Sequence, residues 1–523
     1  MRTLSIVALC MLLTATLHAQ VFFPALVSDV YTGKASSLPY AFYGLNGKLL
    51  FQAKTATSTD LMISDGTASG THTISNGFGG RMKSQTTMNG YVYFINEADN
   101  FLWVTDGLST TGTFSISNIK MQNNIFKYKT NLLFGGNKPG ETTFLWISDG
   151  TASGTHKVKE VATGSNDNVS CFTEIGGKVC FYVESGADRS IWITDGTEAG
   201  TIKLKDIWVS DPWPTYDNSI QKVFEPLKMF NGKLYFSGND DVHGFELWET
   251  DGTIAGTKMT ADINSGATSS HPYDFIVYKG KLVFLAYNPT GVGLDKGDIW
   301  TLSGEDILTK VTSAPLCFFF RFFPFNDKLY TSACGYLYET DGTTAGSRKL
   351  TTSIVIHYTI EHNGYLYFEG VDLSDPLQVS HLYRLGSDDN ITDLFSLNRN
   401  DNGHNKNEYR IRSVGGNLYF DAADPYGPLN EDIELYRLDA FPTSVAAVQK
   451  TAGNALYPNP ANSTFNIKEG NATTVSVYTL TGQLLLTTHQ TRDISIAHLP
   501  AGMYMVQLTG SDGRVTTHKL VKE

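Results

Sequence analysis

A short pattern comes round nine times along this chain: a turn pair, then an apolar strand. The copies are NGKLLF (46–51), NGYVYF (89–94), TNLLFG (130–135), GGKVCF (176–181), NGKLYF (231–236), KGKLVF (279–284), NDKLYT (326–331), NGYLYF (363–368) and GGNLYF (415–420). A second strand-like element follows each copy, centred on Met62, Trp103, Trp146, Trp192, Trp248, Trp300, Tyr338, Tyr383 and Tyr436. From Phe51 to Phe420 is 369 residues over eight intervals, about 46 per repeat. That is the length of one four-stranded propeller blade. A chain built this way is committed to an all-β array in which each unit buries its face against the next.

The fifth repeat shows the unit strand by strand. Glu246–Thr250 turns through DGTIAGT into Lys258–Ile263, and Phe275–Tyr278 turns at Lys279 and Gly280 into Leu282–Ala286. Asn-Gly and Gly-Gly pairs supply the positive φ that hairpin loops need. Six of the nine third strands run on into Asp-Gly, at Asp65, Asp106, Asp149, Asp195, Asp251 and Asp341. These aspartates read as turn formers, because no calcium-loop spacing of acidic residues accompanies them.

The array has one missing strand and one spare. The last repeat ends at ELYRLDAF (434–441) without a fourth strand, while DVYTGKASSLP (29–39) matches DINSGATSSHP (262–272) at Asp29, Gly33, Ser36, Ser37 and Pro39. The N-terminal segment therefore reads as the displaced fourth strand of the last blade. The expected fold is a single closed β-propeller of about nine four-stranded repeats, with its edges removed by closure. Two smaller tandem propellers would not need a split blade.

The stretch FSGNDDVHGFELWETDGTIAGTKMTADINSGATSS (236–270) resembles the bacterial ELWxxDGT repeat family, and FLWVTDG, FLWISDGTASGT, SIWITDGTEAGT and YLYETDGTTAGS are eroded copies. The resemblance implies secreted proteins of propeller-like architecture and no defined activity. At Trp300 and Tyr383 the Asp-Gly-Thr is lost, so those turns are expected to differ.

PTSVAAVQKTAGN marks a linker over 442–455, after an array spanning 20–441. Residues 456–523 read as a small β-sandwich, with alternation at Val475 and Val477 and a turn at Thr481-Gly482. This unit resembles the C-terminal type A sorting domain of the type IX secretion system in Bacteroidetes-type cells. The resemblance rests on Tyr457, Pro458, Asn459, Pro460, Gly482, Leu499, Gly502, Met503, Tyr504 and the terminal Lys519 to Lys522. It implies the type IX secretion machinery as a partner, passage through the periplasm, and release or attachment at the outer-membrane surface.

Residues 1–19 read as a secretory signal peptide: Arg2, an apolar run from Leu4 to Leu17, and Ala19 before Gln20. That run is too short to span a membrane, and no later stretch is long enough. A formal charge of −12 argues against nucleic acid or an anionic membrane as the principal partner. Once Cys10 leaves with the signal, four cysteines remain. Counted from Gly177 and Asp327, the offsets of Cys171 with Cys180 and of Cys317 with Cys334 both sum to −3. That register, with a four-residue loop, predicts disulfides Cys171–Cys180 and Cys317–Cys334, suited to an oxidising periplasm, the alternative being four buried thiols.

No catalytic motif appears. HExxH, GxSxG, a P-loop and CxxC pairs are absent, and GVGLDKG (291–297) lacks the dinucleotide spacing. The adjacent acids Asp240–Asp241 and Asp388–Asp389 lie in polar loops, and His243 fits the repeat's own loop pattern, so no metal and no cofactor are expected. The longest interval, Trp192 to Trp248, carries DIWVSDPWPTYDNS, where Trp208, Trp213 and Tyr216 stand among polar residues as candidate ligand-binding aromatics. The competing reading places Trp208 in a fourth strand and lets Trp213 pin the loop. The expectation is a secreted or cell-surface binding or adhesion module for a glycan or a surface protein. An extracellular polysaccharide-active enzyme or a structural envelope component are the alternatives.

Overall fold

The computed structural model describes residues 22–31, 36–164, 167–186, 188–209, 226–287, 296–315, 322–333, 336–350, 354–372, 374–400, 411–423, 433–440, 456–467, 472–479, 484–510 and 515–523. The signal segment 1–19 and the linker 442–455 lie outside the described residues. Every element among the described residues is a strand, and none is a helix long and apolar enough to cross a membrane. The chain divides into two compact units, Leu26–Arg437 and a second that includes Leu438–Glu523.

The first unit is nine successive antiparallel sheets, one per sequence repeat. In each, the two recurring sequence elements are direct cross-strand partners. Phe51 faces Met62, Phe94 faces Trp103, Phe134 faces Trp146, Phe181 faces Trp192 and Phe236 faces Trp248. Phe284 faces Trp300, Thr331 faces Tyr338, Phe368 faces Tyr383 and Phe420 faces Tyr436. The eight phenylalanines of this series are at most 1% exposed. Each contributes about 1.5–3 kcal/mol by burial, so these pairs fix the register of every sheet.

No sheet keeps its core to itself. Leu45, Leu50 and Ile63 of the first repeat cluster with Met82, Val92 and Phe94 of the second, and comparable clusters join the following repeats in order. Phe395 and Phe420 bring the eighth and ninth repeats to 5.8 Å between ring centroids. Val414, Tyr419 and Leu435 of the ninth repeat then share a cluster with Phe42, Leu49 and Phe51 of the first. At eight of the nine junctions the first strands of neighbouring sheets touch, including Tyr40–Leu45 with Ile411–Val414.

The ninth sheet is completed by Phe22–Ser28, which pairs with Glu434–Ala440. The missing strand is thus supplied by the N-terminus, but by residues 22–28 rather than 29–39. The matched stretch 29–39 is instead the connector from that strand to the first sheet, as 262–272 is between the fifth and sixth. The two connectors are bonded alike. Buried Glu246 accepts from Ile263 N (2.7 Å), Ser270 N (2.9 Å) and Ser270 Oγ (2.6 Å). Buried Glu434 accepts from Val30 N (3.1 Å), Ser37 N (2.9 Å) and Ser37 Oγ (2.5 Å).

The hairpin turns correct the expected cysteine register. Ile175 pairs with Lys178, leaving Gly176 and Gly177, with φ of 56° and 74°, as a two-residue loop. Two positive φ values in a row twist with the strands, which a four-residue loop is not needed to do. Thr173 therefore faces Cys180, while Cys171 sits in a β-bulge at φ 59°. No disulfide joins Cys171 to Cys180, and burial pushes the Cys180 thiol up to about 12. Cys317 and Cys334 lie outside the described residues.

The six Asp-Gly turns close themselves. Asp251 Oδ1 accepts from Thr253 N (2.9 Å) and Thr253 Oγ1 (2.7 Å), Thr253 Oγ1 accepts from Gly256 N, and Thr250 Oγ1 accepts from Gly252 N. Asp65, Asp149, Asp195 and Asp341 repeat this, and the threonine contacts hold all five carboxyls below their usual range. At Asp106, where Leu108 replaces the threonine, the carboxylate takes the amides of Leu108 and Ser109.

The two eroded turns do differ. Ser303 N and Gly386 N bond to Ile307 O and Asn390 O, and Asp306 and Asp389 take φ of 58° and 61°. Both acids reach back to the preceding repeat, Asp306 to Lys233 (3.6 Å) and Asp389 to Lys328 and Tyr330 Oη (2.9 Å).

In the second unit, two sheets enclose a core of Phe465, Val475, Val477, Ile494, Val506 and Leu520. Asn459 Oδ1 accepts from Val521 N (2.8 Å) and its Nδ2 donates to Lys519 O (2.5 Å), so the Tyr457-Pro458-Asn459-Pro460 segment is tied to the last strand. Tyr457–Pro458 and Asn459–Pro460 are both cis. Gly502 opens the strand Gly502–Gly510, Tyr504 Oη donates to Pro500 O, and Lys522 Nζ donates to Glu523 O. Gly482 lies outside the described residues.

Candidate functional site

Because successive strands alternate in direction, each sheet places its first–second and third–fourth turns at one end. The second–third and fourth–first connections lie at the other. The first end carries the two-residue hairpins and the self-bonded Asp-Gly turns, whose polar groups are spent on one another. Among the described residues, the second end takes the connections 240–244 and 262–272. Function on repeat scaffolds resides in such loops, so candidate residues belong at this end.

The first strands are interrupted at a common place near it. Register shifts fall between Tyr40 and Tyr43, Lys83 and Thr86, Met121 and Ile125, Ser170 and Thr173, and Tyr273 and Ile276. Ala41, Ser84, Cys171 and Asp274 adopt positive φ there. Two of these bulges bond to the next repeat: Ser84 Oγ accepts from Ile125 N (2.8 Å), and Asp274 accepts from Phe322 N. In the fifth repeat the strand is in two pieces, Trp208–Val209 opposite Asn239–Gly238 and Leu227–Phe230 opposite Phe236–Lys233. The long segment after Trp208 is thus inserted where other repeats carry a bulge.

Trp208 consequently belongs to a first strand, not to a fourth, and it is 36% exposed rather than core. Its ring lies within a chain of contacts running from the fourth repeat to the connector after the fifth. The Arg189 guanidinium lies 3.7 Å from the Trp208 centroid, Phe245 meets Trp208 at 5.0 Å and 69°, and His271 stacks on Phe245 at 4.9 Å. Glu184 holds Arg189 Nε at 3.3 Å. The cation–π contact is worth about 0.5–1 kcal/mol at such a site, and Arg189 occupies part of the surface a ligand would use. Burial lowers the pKa of His271, which favours the neutral ring.

At the neighbouring loop His243 Nδ1 and Asp240 Oδ2 are 2.9 Å apart, and Asp240 raises the imidazole pKa. Asp240 also caps the amides of Val242 and His243. Asp240 is thus committed to His243 and the loop amides, and Asp389 to Lys328, Tyr330 and Arg348. Among the described residues no group of three or more His, Cys, Asp or Glu is placed to hold a metal.

Of the three candidate aromatics only Trp208 is placed, since Trp213 and Tyr216 lie outside the described residues. Arg189, Phe245 and His271 were not foreseen. Phe245 and His271 are ordinary repeat positions in sequence, and only the split strand brings Trp208 between them and Arg189.

Comparison with known proteins bears chiefly on the second unit. No curated protein matches the chain. Solved structures similar to it include puromycin hydrolase (10% identity, 66% of this chain and 59% of that one, TM-score 0.34) and prolyl oligopeptidase B from Galerina marginata (10%, 66% and 57%, 0.37). Dihydro-heme d1 dehydrogenase NirN in complex with DHE is also similar (14%, 71% and 77%, 0.40). The chain spans about 59% of the length of the hydrolase, and likenesses of this size carry no argument about activity. Residues 455–523, by contrast, match the secretion system C-terminal sorting domain. The protein is therefore secreted, exported to the cell surface or the extracellular space, with the type IX secretion machinery as its partner in that step.

Proposed function

We propose that the mature chain, from Gln20 after removal of a signal peptide, is a binding or adhesion module built as one closed nine-bladed β-propeller of ELWxxDGT-like repeats. It presents its second-end connections to a glycan or a surface protein. Closure is supported by the shared core of the ninth and first repeats and by the borrowed strand Phe22–Ser28. The observation that carries the binding reading is the asymmetry of the two ends. One is finished by short self-satisfied turns, and the other bears the connections 240–244 and 262–272 and the half-exposed Trp208 stack. Indole with neighbouring carboxylates suits the apolar face and hydroxyl rim of a sugar.

The test is a glycan and polysaccharide array probed with the full mature chain, with product analysis of every glycan retained. Retention without breakdown, weakened at least tenfold by Trp208→Ala or Trp213→Ala, supports the module. New reducing ends would establish the extracellular enzyme instead. Silence on the array, with capture of a defined outer-surface protein, moves the ligand from glycan to protein.

A further inference from the structure

The connector at Glu434 differs from its twin in one respect that matters. Residues 262–272 are covalently continuous with both sheets they join. Residues 22–39, strand and connector together, are continuous with the first sheet only, and the other three strands of the ninth sheet hold them by non-covalent bonds alone. Those bonds are specific to sequence. Beyond the three contacts to Glu434, Ser36 Oγ accepts from Ile433 N (2.9 Å), and Leu38 N donates to Ile433 O (3.1 Å). The twin repeats both, with Ser269 Oγ accepting from Phe245 N (2.9 Å) and His271 N donating to Phe245 O (3.0 Å). Even the left-handed residues agree: Leu38 at φ 46° with His271 at 44°, and Ala41 at 56° with Asp274 at 53°. Two segments 233 positions apart thus satisfy one recognition pattern, Asp-x3-Gly-x2-Ser-Ser-x-Pro.

From this we propose that the ninth sheet is a strand-acceptor site for an extended peptide carrying that pattern, and that it takes the segment 22–39 in trans from a second copy of the chain as well as in cis. Strand Glu434–Ala440 supplies an open ladder edge, the Val27 pocket supplies apolar burial, and the Glu434 carboxylate reads the paired serines. In cis the strap wins by its high local concentration. On a crowded cell surface a neighbour's strap competes whenever the resident one opens.

The test uses a fluorescent synthetic peptide of residues 22–39 and the full mature chain. Ser37→Ala in the chain loosens the resident strap, read as faster tryptic cleavage after Lys34. That variant is expected to bind the peptide one to one, at least tenfold more tightly than a scrambled peptide or one bearing Ser37→Ala. Adding Glu434→Ala to the chain is expected to weaken the peptide at least tenfold while leaving the circular dichroism spectrum unchanged. A chain beginning at Tyr40 is the second acceptor. Equal binding of native and scrambled peptides, or no binding by either acceptor when both retain the native spectrum, overturns the proposal.

Discussion

Gly66 and Gly342 occupy the same place in two Asp-Gly turns, with φ of 92° and 84°, yet their surroundings differ. A methyl at Gly66 would lie 2.6 Å from Tyr419 Oη and 3.1 Å from Asn417 Nδ2, whereas one at Gly342 meets nothing within 4 Å. Alanine at either site bears the left-handed backbone cost of about 1–2 kcal/mol. Gly66→Ala adds the overlap with the tyrosine of the ninth repeat, about 1–3 kcal/mol more. Because Arg437 Nη1 also donates to Gly66 O (2.7 Å), this junction joins the last repeat to the first. Tyr419→Phe alone removes an oxygen that accepts from Asn417 Nδ2 (3.2 Å) and costs about 1 kcal/mol. Combined with Gly66→Ala it is expected to recover about 1–2 kcal/mol of the added loss. Urea denaturation of the single and double variants gives this coupling. Equal losses at Gly66 and Gly342, or a double variant less stable than the sum of its parts, would refute the contact between the ends of the array.

Four further outcomes follow from the geometry. Glu246→Ala strands the amides of Ile263 and Ser270 and the Ser270 hydroxyl in a buried site, so thermal unfolding should show a loss of about 3 kcal/mol or more, with Glu246→Gln losing less. Burial raises Glu434 from 4.5 to about 7, so its contribution, at most about 3 kcal/mol, is present below pH 4.5 and lost as pH rises through 7. Tryptic cleavage after Lys34, taken relative to that of a free peptide of residues 22–39 at the same pH, should accordingly be faster at pH 8 than at pH 5, and Glu434→Gln should flatten that dependence. Cys180 should resist alkylation in the folded protein and react in urea, and reduction should leave the mass of a Cys171–Cys180 peptide unchanged. Asp251→Ala leaves Thr253 N and Oγ1 to water at an exposed turn, and urea denaturation should register a loss of about 1 kcal/mol.

The repeat was legible because its signal is redundant: the phenylalanine of one strand and the tryptophan of the next recur together, and each pair proved to be a cross-strand contact. The N-terminal match was legible because Ser37 is bonded by Glu434 and Ser36 by Ile433 N, as Ser270 and Ser269 are by Glu246 and Phe245 N. The expected Cys171–Cys180 register does not hold because Gly176-Gly177 closes a two-residue loop in place of a four-residue one, which sets Thr173 opposite Cys180. The stack at Trp208 was half legible. An aromatic-rich insertion is visible as spacing, but that the insertion splits a first strand, and so sets Trp208 between Arg189 and Phe245, depends on pairing with the distant residues Gly238 and Asn239.

The likeness of the two connectors has a consequence for where this protein could begin. If 22–39 is an ordinary fourth strand and connector severed from the three strands before it, the starting point of the chain is arbitrary with respect to the first unit. A circular permutant that joins Ala440 to Phe22 through a linker of about eight residues, the span of an Asp-Gly turn, and opens instead between Thr250 and Lys258 would place Glu246 in the position of Glu434. Its new termini would be held as the present ones are, and any of the remaining Asp-Gly turns could serve as the next point of opening.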